Sequence, residues 1–193
     1  MLIAFEGPDN VGKSTSAANL SHNGAPIYNA TPDNYRAARD ETAGEQGLVQ
    51  TFDRVDWFSH LVYRLALPDR EWNDARVRTV FGMPDAHLVV KLHKPEFADF
   101  TADEVVDTPV GRVNPVYWMM TDSLMRLNAF QQYDIFKSIS IIEVVNNGGE
   151  YSQQLVSHDN PSWEGYGMNI LTRMVNSDGD LLNFLQDVDQ RIG

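Results

Sequence analysis

The segment Gly7-Pro8-Asp9-Asn10-Val11-Gly12-Lys13-Ser14 limits the fold of this chain more than any other, because of what stands on either side of it. Residues 2–6 (LIAFE) form a short apolar run that reads as a buried strand, and residues 13–20 (KSTSAANL) suit a helix ending near Gly24. The pattern G-x-x-x-x-G-K-[ST], the Walker A loop, is short enough to arise by chance, but strand, loop and helix in this order give it physical meaning. Backbone N–H groups of residues 9–15 then converge on one concavity at a helix N-terminus, where a phosphate is favoured. Lys13 adds a point charge for the β- and γ-phosphates, and the Ser14 hydroxyl is suited to ligate Mg²⁺. A glycine-rich turn that only joined strand to helix would not need a lysine followed by two hydroxyls.

The rest of the chain alternates in the same manner. Short strands are expected at residues 25–29, 48–52, 87–92 and 139–145, and the near-continuous apolar run HLVVKL at 87–92 implies a strand covered on both faces of a parallel sheet. Helices are expected at 57–67, stopped by Pro68, and at 72–81, 115–130, 163–174 and 180–192. Residues 31–46 read as a connection with one helical turn, and Asn146-Asn147-Gly148-Gly149 as an abrupt strand end. Strands alternating with helices, without repeat or linker, predict one three-layer α/β domain spanning residues 1–193.

Composition narrows the function. The chain of 193 residues is 42% hydrophobic and 22% charged, which is the balance of a globular domain. It has no cysteine, so disulfides, thiolate metal sites and cysteine nucleophiles are excluded. The five histidines show no metal-ligand spacing. No run approaches the roughly 20 apolar residues of a membrane span, and the N-terminus has no basic flank or cleavage site, so a cytoplasmic protein is expected. A net charge of −12 with only 15 Lys and Arg argues against duplex DNA as a partner and leaves a small nucleotide open.

The stretch Phe5-Glu6-Gly7-Pro8-Asp9-Asn10-Val11-Gly12-Lys13-Ser14-Thr15 resembles the F-E-G-x-D-x-x-G-K-S-T signature of thymidylate kinases, within the deoxynucleoside monophosphate kinase group. Asp53-Arg54, with Ser59 and Tyr63 following, is similar to the family's D-R-x motif, and residues 83–92 (MPDAHLVVKL) to its P-D-leading fourth strand. The resemblance covers about the first half of the chain. It implies a five-stranded parallel sheet in the order 2-3-1-4-5, and a phage enzyme, homodimeric as the family is. It implies MgATP on Gly7, Asn10, Val11, Gly12, Lys13, Ser14 and Thr15, with transfer of the γ-phosphoryl group to the 5′-phosphate of a deoxynucleoside monophosphate. By position, Asp9 would hold the sugar 3′-hydroxyl, Asp53 would order the Mg²⁺ shell or the acceptor, and Arg54 would bind the acceptor phosphate. An Asp-Arg pair can also be a plain surface ion pair, but the carboxyl end of a strand in an open α/β sheet is where ligands bind.

The sequence also departs from that family. Its R-E-P stretch is replaced by Ala30-Thr31-Pro32-Asp33, which leaves Arg36 or Arg39 to stand in for an acceptor-binding arginine. Residue 10 is Asn, where some members carry a loop arginine. The polar segment at about 94–114 occupies the place of a lid, and Arg112 beside Gly111 is its candidate catalytic cation. Phe58 or Trp57 is a candidate to stack on a base, against the alternative that both face the core. A kinase of modified DNA bases, a deoxynucleoside kinase and a non-catalytic nucleotide-binding regulator are the alternatives to a monophosphate kinase.

Overall fold

The computed structural model describes residues 1–94, 102–103, 108–129, 135–147, 150–159 and 173–192. In chain order the described elements are β1 (Leu2–Glu6), α1 (Lys13–Leu20), β2 (Ile27–Ala30), α2 (Pro32–Gly44), β3 (Gln50–Val55), α3 (Asp56–Ala66), α4 (Asp74–Val77) and β4 (Met83–His93). They continue with β5 (Ala102–Asp103), β6 (Thr108–Pro109), α5 (Val110–Ala129), β7 (Phe136–Asn147), β8 (Glu150–Asp159), β9 (Arg173–Met174) and α6 (Asp178–Ile192).

Among the described residues seven strands make one sheet in the order β2-β3-β1-β4-β7-β8-β9. From β2 to β7 all neighbours are parallel, whereas β8 and β9 are antiparallel additions. The five-stranded parallel sheet expected from the resemblance is thus corrected in count and order. β8 pairs antiparallel with β7, Asn147 opposite Glu150, and β9 pairs with β8, so the sheet continues past the strand end expected at Asn146-Asn147-Gly148-Gly149.

Alternation along the strands divides the core in two. Leu2, Ala4, Leu88, Val90 and Leu92 face a cluster with Tyr35 of α2, Phe58 of α3 and Tyr117 of α5. Ile3, Phe5 and Val89 face a second cluster with Ala17 of α1 and Leu181, Leu185 and Val188 of α6. Each fully buried large side chain contributes about 1.5–3 kcal/mol. α6 is also tied to the sheet by Asp189, whose carboxylate lies 2.9 Å from His87 Nε2 and 2.7 Å from Lys137 Nζ.

Several expected elements shift. Residues 31–46 are mostly helix: Thr31 caps α2, its Oγ1 accepting from Asn34 N–H at 3.5 Å while Asn34 Oδ1 accepts from Thr31 N–H at 2.7 Å, with Pro32 next. The helix expected at 72–81 is reduced to α4, held to α3 by the Arg76–Asp56 ion pair. The helix expected from Pro115 starts at Val110 and carries Pro115 inside. The helix expected at 163–174 lies mainly outside the described residues, and its last two residues form β9. Most of the expected lid also lies outside them, and its end, from Val110, is the start of α5. No helix among the described residues is long and apolar enough to cross a membrane.

Candidate functional site

The site begins where β1, with parallel neighbours on both edges, delivers the chain into the loop. Gly7 has φ +136°, and a Cβ there would lie 1.9 Å from the Lys91 carbonyl oxygen, so the backbones of loop and β4 touch in a way only glycine allows. Asn10 and Gly12 also have positive φ, at 64° and 74°, and turn the loop into α1. α1 starts with neither a side-chain cap nor an acidic residue in its first turn. Its leading N–H groups and positive dipole end therefore face the loop without internal compensation, as an anion requires. Ser14 and Thr15 are exposed in that first turn.

Lys13 is buried, and its Nζ donates to the Pro8 carbonyl at 2.6 Å and lies 3.9 Å from Asp9 Oδ1. Burial, reinforced by Arg54, pulls its pKa down to about 8 against the opposing pull of Asp9, Glu6 and Asp53. Asp53 is 7% exposed on β3, in register with Phe5 and Tyr28, and its Oδ1 has no partner among the described residues. A buried carboxylate oxygen without a partner is costly unless a cation or donor completes it.

Arg54 links the loop to α3 and α5. Its φ of +82° is rare for a residue with a side chain, a local strain of about 1–3 kcal/mol at the carboxyl end of the parallel strands, on the side of the loop. There it pairs with Asp9 at 2.7 Å, donates to Ser59 Oγ at 3.3 Å and Tyr117 OH at 3.4 Å, and covers the Tyr63 ring at 5.6 Å. Under this cation lies Glu6, wholly buried. Its carboxylate accepts from Ser59 Oγ at 2.8 and 2.9 Å, from Tyr117 OH at 3.0 Å, from Gly7 N–H at 3.3 Å and from Val55 N–H. Burial pushes the Glu6 pKa up, and Arg54 is the first of the groups that oppose it. His93, at the end of β4, is within 3.0 Å of the Asp9 carbonyl through Nε2, while Asn114 of α5 bonds the His93 N–H and carbonyl at 3.0 and 2.9 Å. Loop, β4 and α5 are thereby fixed to one another.

Of the residues singled out in the sequence, Asp9, Lys13, Asp53 and Arg54 come together, with Gly7, Asn10, Val11, Gly12, Ser14 and Thr15 forming the loop and first helical turn. Phe58 does not join them: it is fully buried, edge-on to Trp57 and Tyr117, so core packing takes the place of the expected stacking on a base. Trp57 is likewise 3% exposed. Arg112 is exposed in the first turn of α5, in a helix and not in a lid loop. Arg36 and Arg39 lie on the outer face of α2, paired with Asp33 and Asp40 of the same helix at 3.5 and 3.1 Å, so neither fills the place of the missing arginine. The reading of residues missed Glu6, Lys91, His93 and Tyr117. Glu6 and Lys91 carried a signal, since a charge inside an apolar strand run is buried only if something nearby needs it.

Neither a protein-family profile nor a curated protein matches the sequence. Similar solved structures include YorR from Bacillus subtilis, determined in complex with phosphorylated GDP, with 20% identity over 64% of this chain and 80% of that one and a TM-score of 0.39. Others are the flagellar accessory protein FlaH from Methanocaldococcus jannaschii, with 11% identity over 91% and 89% of the two chains and a TM-score of 0.24, and a KaiC-like protein from Pyrococcus horikoshii, with 12% identity over 91% and 81% and a TM-score of 0.19. At these values no ligand or activity carries over from them to this chain.

Proposed function

We propose that this chain is a P-loop kinase that transfers the γ-phosphoryl group of ATP, bound with Mg²⁺, to the 5′-phosphate of a deoxynucleoside monophosphate, within a single domain. The reading rests on one juxtaposition: the Arg54 guanidinium, a cation suited to an acceptor phosphate, is 2.7 Å from Asp9 inside the loop suited to a donor triphosphate. Phosphoryl transfer depends on such positioning and on cations around the moving group more than on covalent catalysis.

The residues fit Mg²⁺, because Asp53 Oδ1 is a buried hard ligand without a described partner and the Ser14 hydroxyl stands at the start of α1. When bound, Mg²⁺ neutralises charge on the β- and γ-phosphates. The amides of residues 10–15 hold the triphosphate, and Lys13 exchanges the Pro8 carbonyl for phosphate oxygens. Arg54 orients the acceptor phosphate, which releases Asp9 to accept from the sugar 3′-hydroxyl. The bond from the γ-phosphorus to the bridging oxygen breaks as an acceptor phosphate oxygen forms the new P–O bond, leaving ADP and a deoxynucleoside diphosphate.

A second reading, nucleotide binding without transfer, draws support from the same ion pair, since Arg54 is already neutralised by Asp9 and fixed by Ser59 and Tyr117. The two separate on variants assayed for ATP binding and for turnover. Under the kinase reading Lys13→Ala abolishes transfer in a folded protein, and Asp53→Asn loses most turnover while still binding ATP. Unchanged turnover in either variant refutes the mechanism, and ATP binding by the wild-type protein without turnover on any acceptor favours the second reading.

A further inference from the structure

A cavity of about 260 Å³ opens beside the loop, walled by α1, β4, β8 and α6. It is a built site. Lys91, 1% exposed, shares a face of β4 with Val89 and so points to α1, where its Nζ donates to Ser16 Oγ at 2.8 Å and to the Gly12 carbonyl at 3.4 Å. Ser16 Oγ in turn donates to Asp178 Oδ1 at 2.6 Å, and Asn19 holds the other carboxylate oxygen at 2.8 Å. On β8, the Tyr151 hydroxyl donates to the Val11 carbonyl at 3.1 Å, which fixes the ring against the loop while 47% of the residue stays exposed.

Gln153 also lines this cavity. It is 5% exposed, yet its Oε1 has no partner among the described residues. A buried carboxamide oxygen without a donor is rare in a folded protein, and a ligand that brings one would complete it. Thr15, where the loop becomes α1, lines the same cavity. A polyphosphate held by the amides of residues 10–15 that leaves the loop at Thr15 therefore enters it.

We infer that this cavity takes the nucleoside part of the loop's nucleotide, a purine whose base N–H donates to Gln153 Oε1 and whose ring packs on Tyr151. The inference rests on the nucleotide-binding reading of the loop and adds what recognises the base. An adenine amino group and a guanine N1–H both supply the donor; an aromatic ring beside a base is worth stacking energy whichever purine it is. Gln153 is then a specificity-determining residue supplied by β8, the antiparallel strand paired to the last parallel one.

The test is a titration of the full-length protein, wild type and Gln153→Leu, with inorganic tripolyphosphate, ATP, GTP and purine riboside triphosphate, which keeps the ring system but lacks the N–H. Replacing an unpartnered buried carboxamide with an isosteric apolar side chain leaves the fold intact. Tripolyphosphate binding by the variant verifies that directly. The expected result is ATP or GTP bound at least about tenfold more tightly than tripolyphosphate by the wild type, and a roughly three- to tenfold loss for that nucleotide in Gln153→Leu, the cost of one neutral hydrogen bond. Affinity for tripolyphosphate and for purine riboside triphosphate stays the same in the two proteins. If Gln153→Leu binds ATP and GTP as the wild type does, or weakens tripolyphosphate equally, the inference is overturned. Wild-type protein that binds tripolyphosphate as tightly as ATP and GTP overturns this inference alone, whereas failure to bind any of the four overturns the loop's reading with it.

Discussion

Glu6→Gln is the substitution that most tests how the site is held. The carboxylate oxygens divide their work: Oε1 accepts from Val55 N–H and Ser59 Oγ, and Oε2 accepts from Ser59 Oγ, from Tyr117 OH at 3.0 Å and from Gly7 N–H at 3.3 Å. A glutamine of the same shape has one acceptor oxygen. With that oxygen toward Val55, its amino group faces Gly7 N–H and Tyr117 OH; the tyrosine hydroxyl turns to accept, but the Gly7 N–H is left without a partner. An orphaned buried N–H costs about 1–3 kcal/mol. Arg54 also loses a buried anionic neighbour, a loss of up to about 3–5 kcal/mol when no other partner remains, reduced here because Asp9 stays 2.7 Å away. The sum expected is about 2–4 kcal/mol, which in a chain of this length lowers Tm by roughly 5–15 °C. Thermal unfolding of wild type, Glu6→Gln and Ser59→Ala measures it, with Ser59→Ala losing about 1 kcal/mol. A Glu6→Gln protein melting within about 2 °C of wild type would show that the buried carboxylate neither organises the loop nor balances Arg54.

Gly7→Ala places a Cβ 1.9 Å from the Lys91 carbonyl oxygen at φ +136°, so it is expected to destabilise the fold by at least about 3 kcal/mol and to abolish polyphosphate binding; retained binding in calorimetry contradicts the loop geometry. The pKa values of Lys13 and Lys91 are both pulled down to about 8 by burial, so above that value the unfolded chain, with lysines near 10.5, binds more protons than the folded one. Stability therefore rises with pH from about 8 towards 10, where tyrosine ionisation intervenes, and the rise is smaller in Lys91→Met; a flat profile in urea titrations refutes the burial of these charges. Burial pushes the Asp189 pKa up, but the bonds from His87 and Lys137 outweigh it and hold it down at about 2. Its contribution is complete above the ordinary carboxylate range and is lost as pH falls from about 4 to 2, so Asp189→Asn destabilises at pH 7 and has a shallower acid transition.

The parallel part of the sheet and the loop were legible because one strong local signal, the strand-loop-helix around Gly7 to Ser14, constrains everything near it. The continuous apolar runs LIAFE and HLVVKL also announce strands covered on both faces. α2 was legible in principle through its Thr31-Pro32-Asp33-Asn34 capping box, but Asn in place of the usual Glu or Gln, together with scattered Asp and Arg, hid the start. β8 was missed because SQQLVSH has little apolar alternation; its stability comes from pairing with β7, a non-local contact that no window of sequence contains. The site followed the same division. Asp9, Lys13, Asp53 and Arg54 stand in motifs, whereas Tyr117 and His93 join them only by folding, and Phe58, placed at the right distance after Asp53, turns its ring into the core instead.

The proposed transfer between a nucleotide on the loop and an acceptor held by Arg54 is followed with radiolabelled γ-phosphate, from ATP with Mg²⁺ into each deoxynucleoside monophosphate, and separation of the products. Label is expected in a deoxynucleoside diphosphate with at least one of the acceptors, and none with Lys13→Ala. Label found only in inorganic phosphate, or remaining in ATP with every acceptor while ATP binding is measurable, would contradict it.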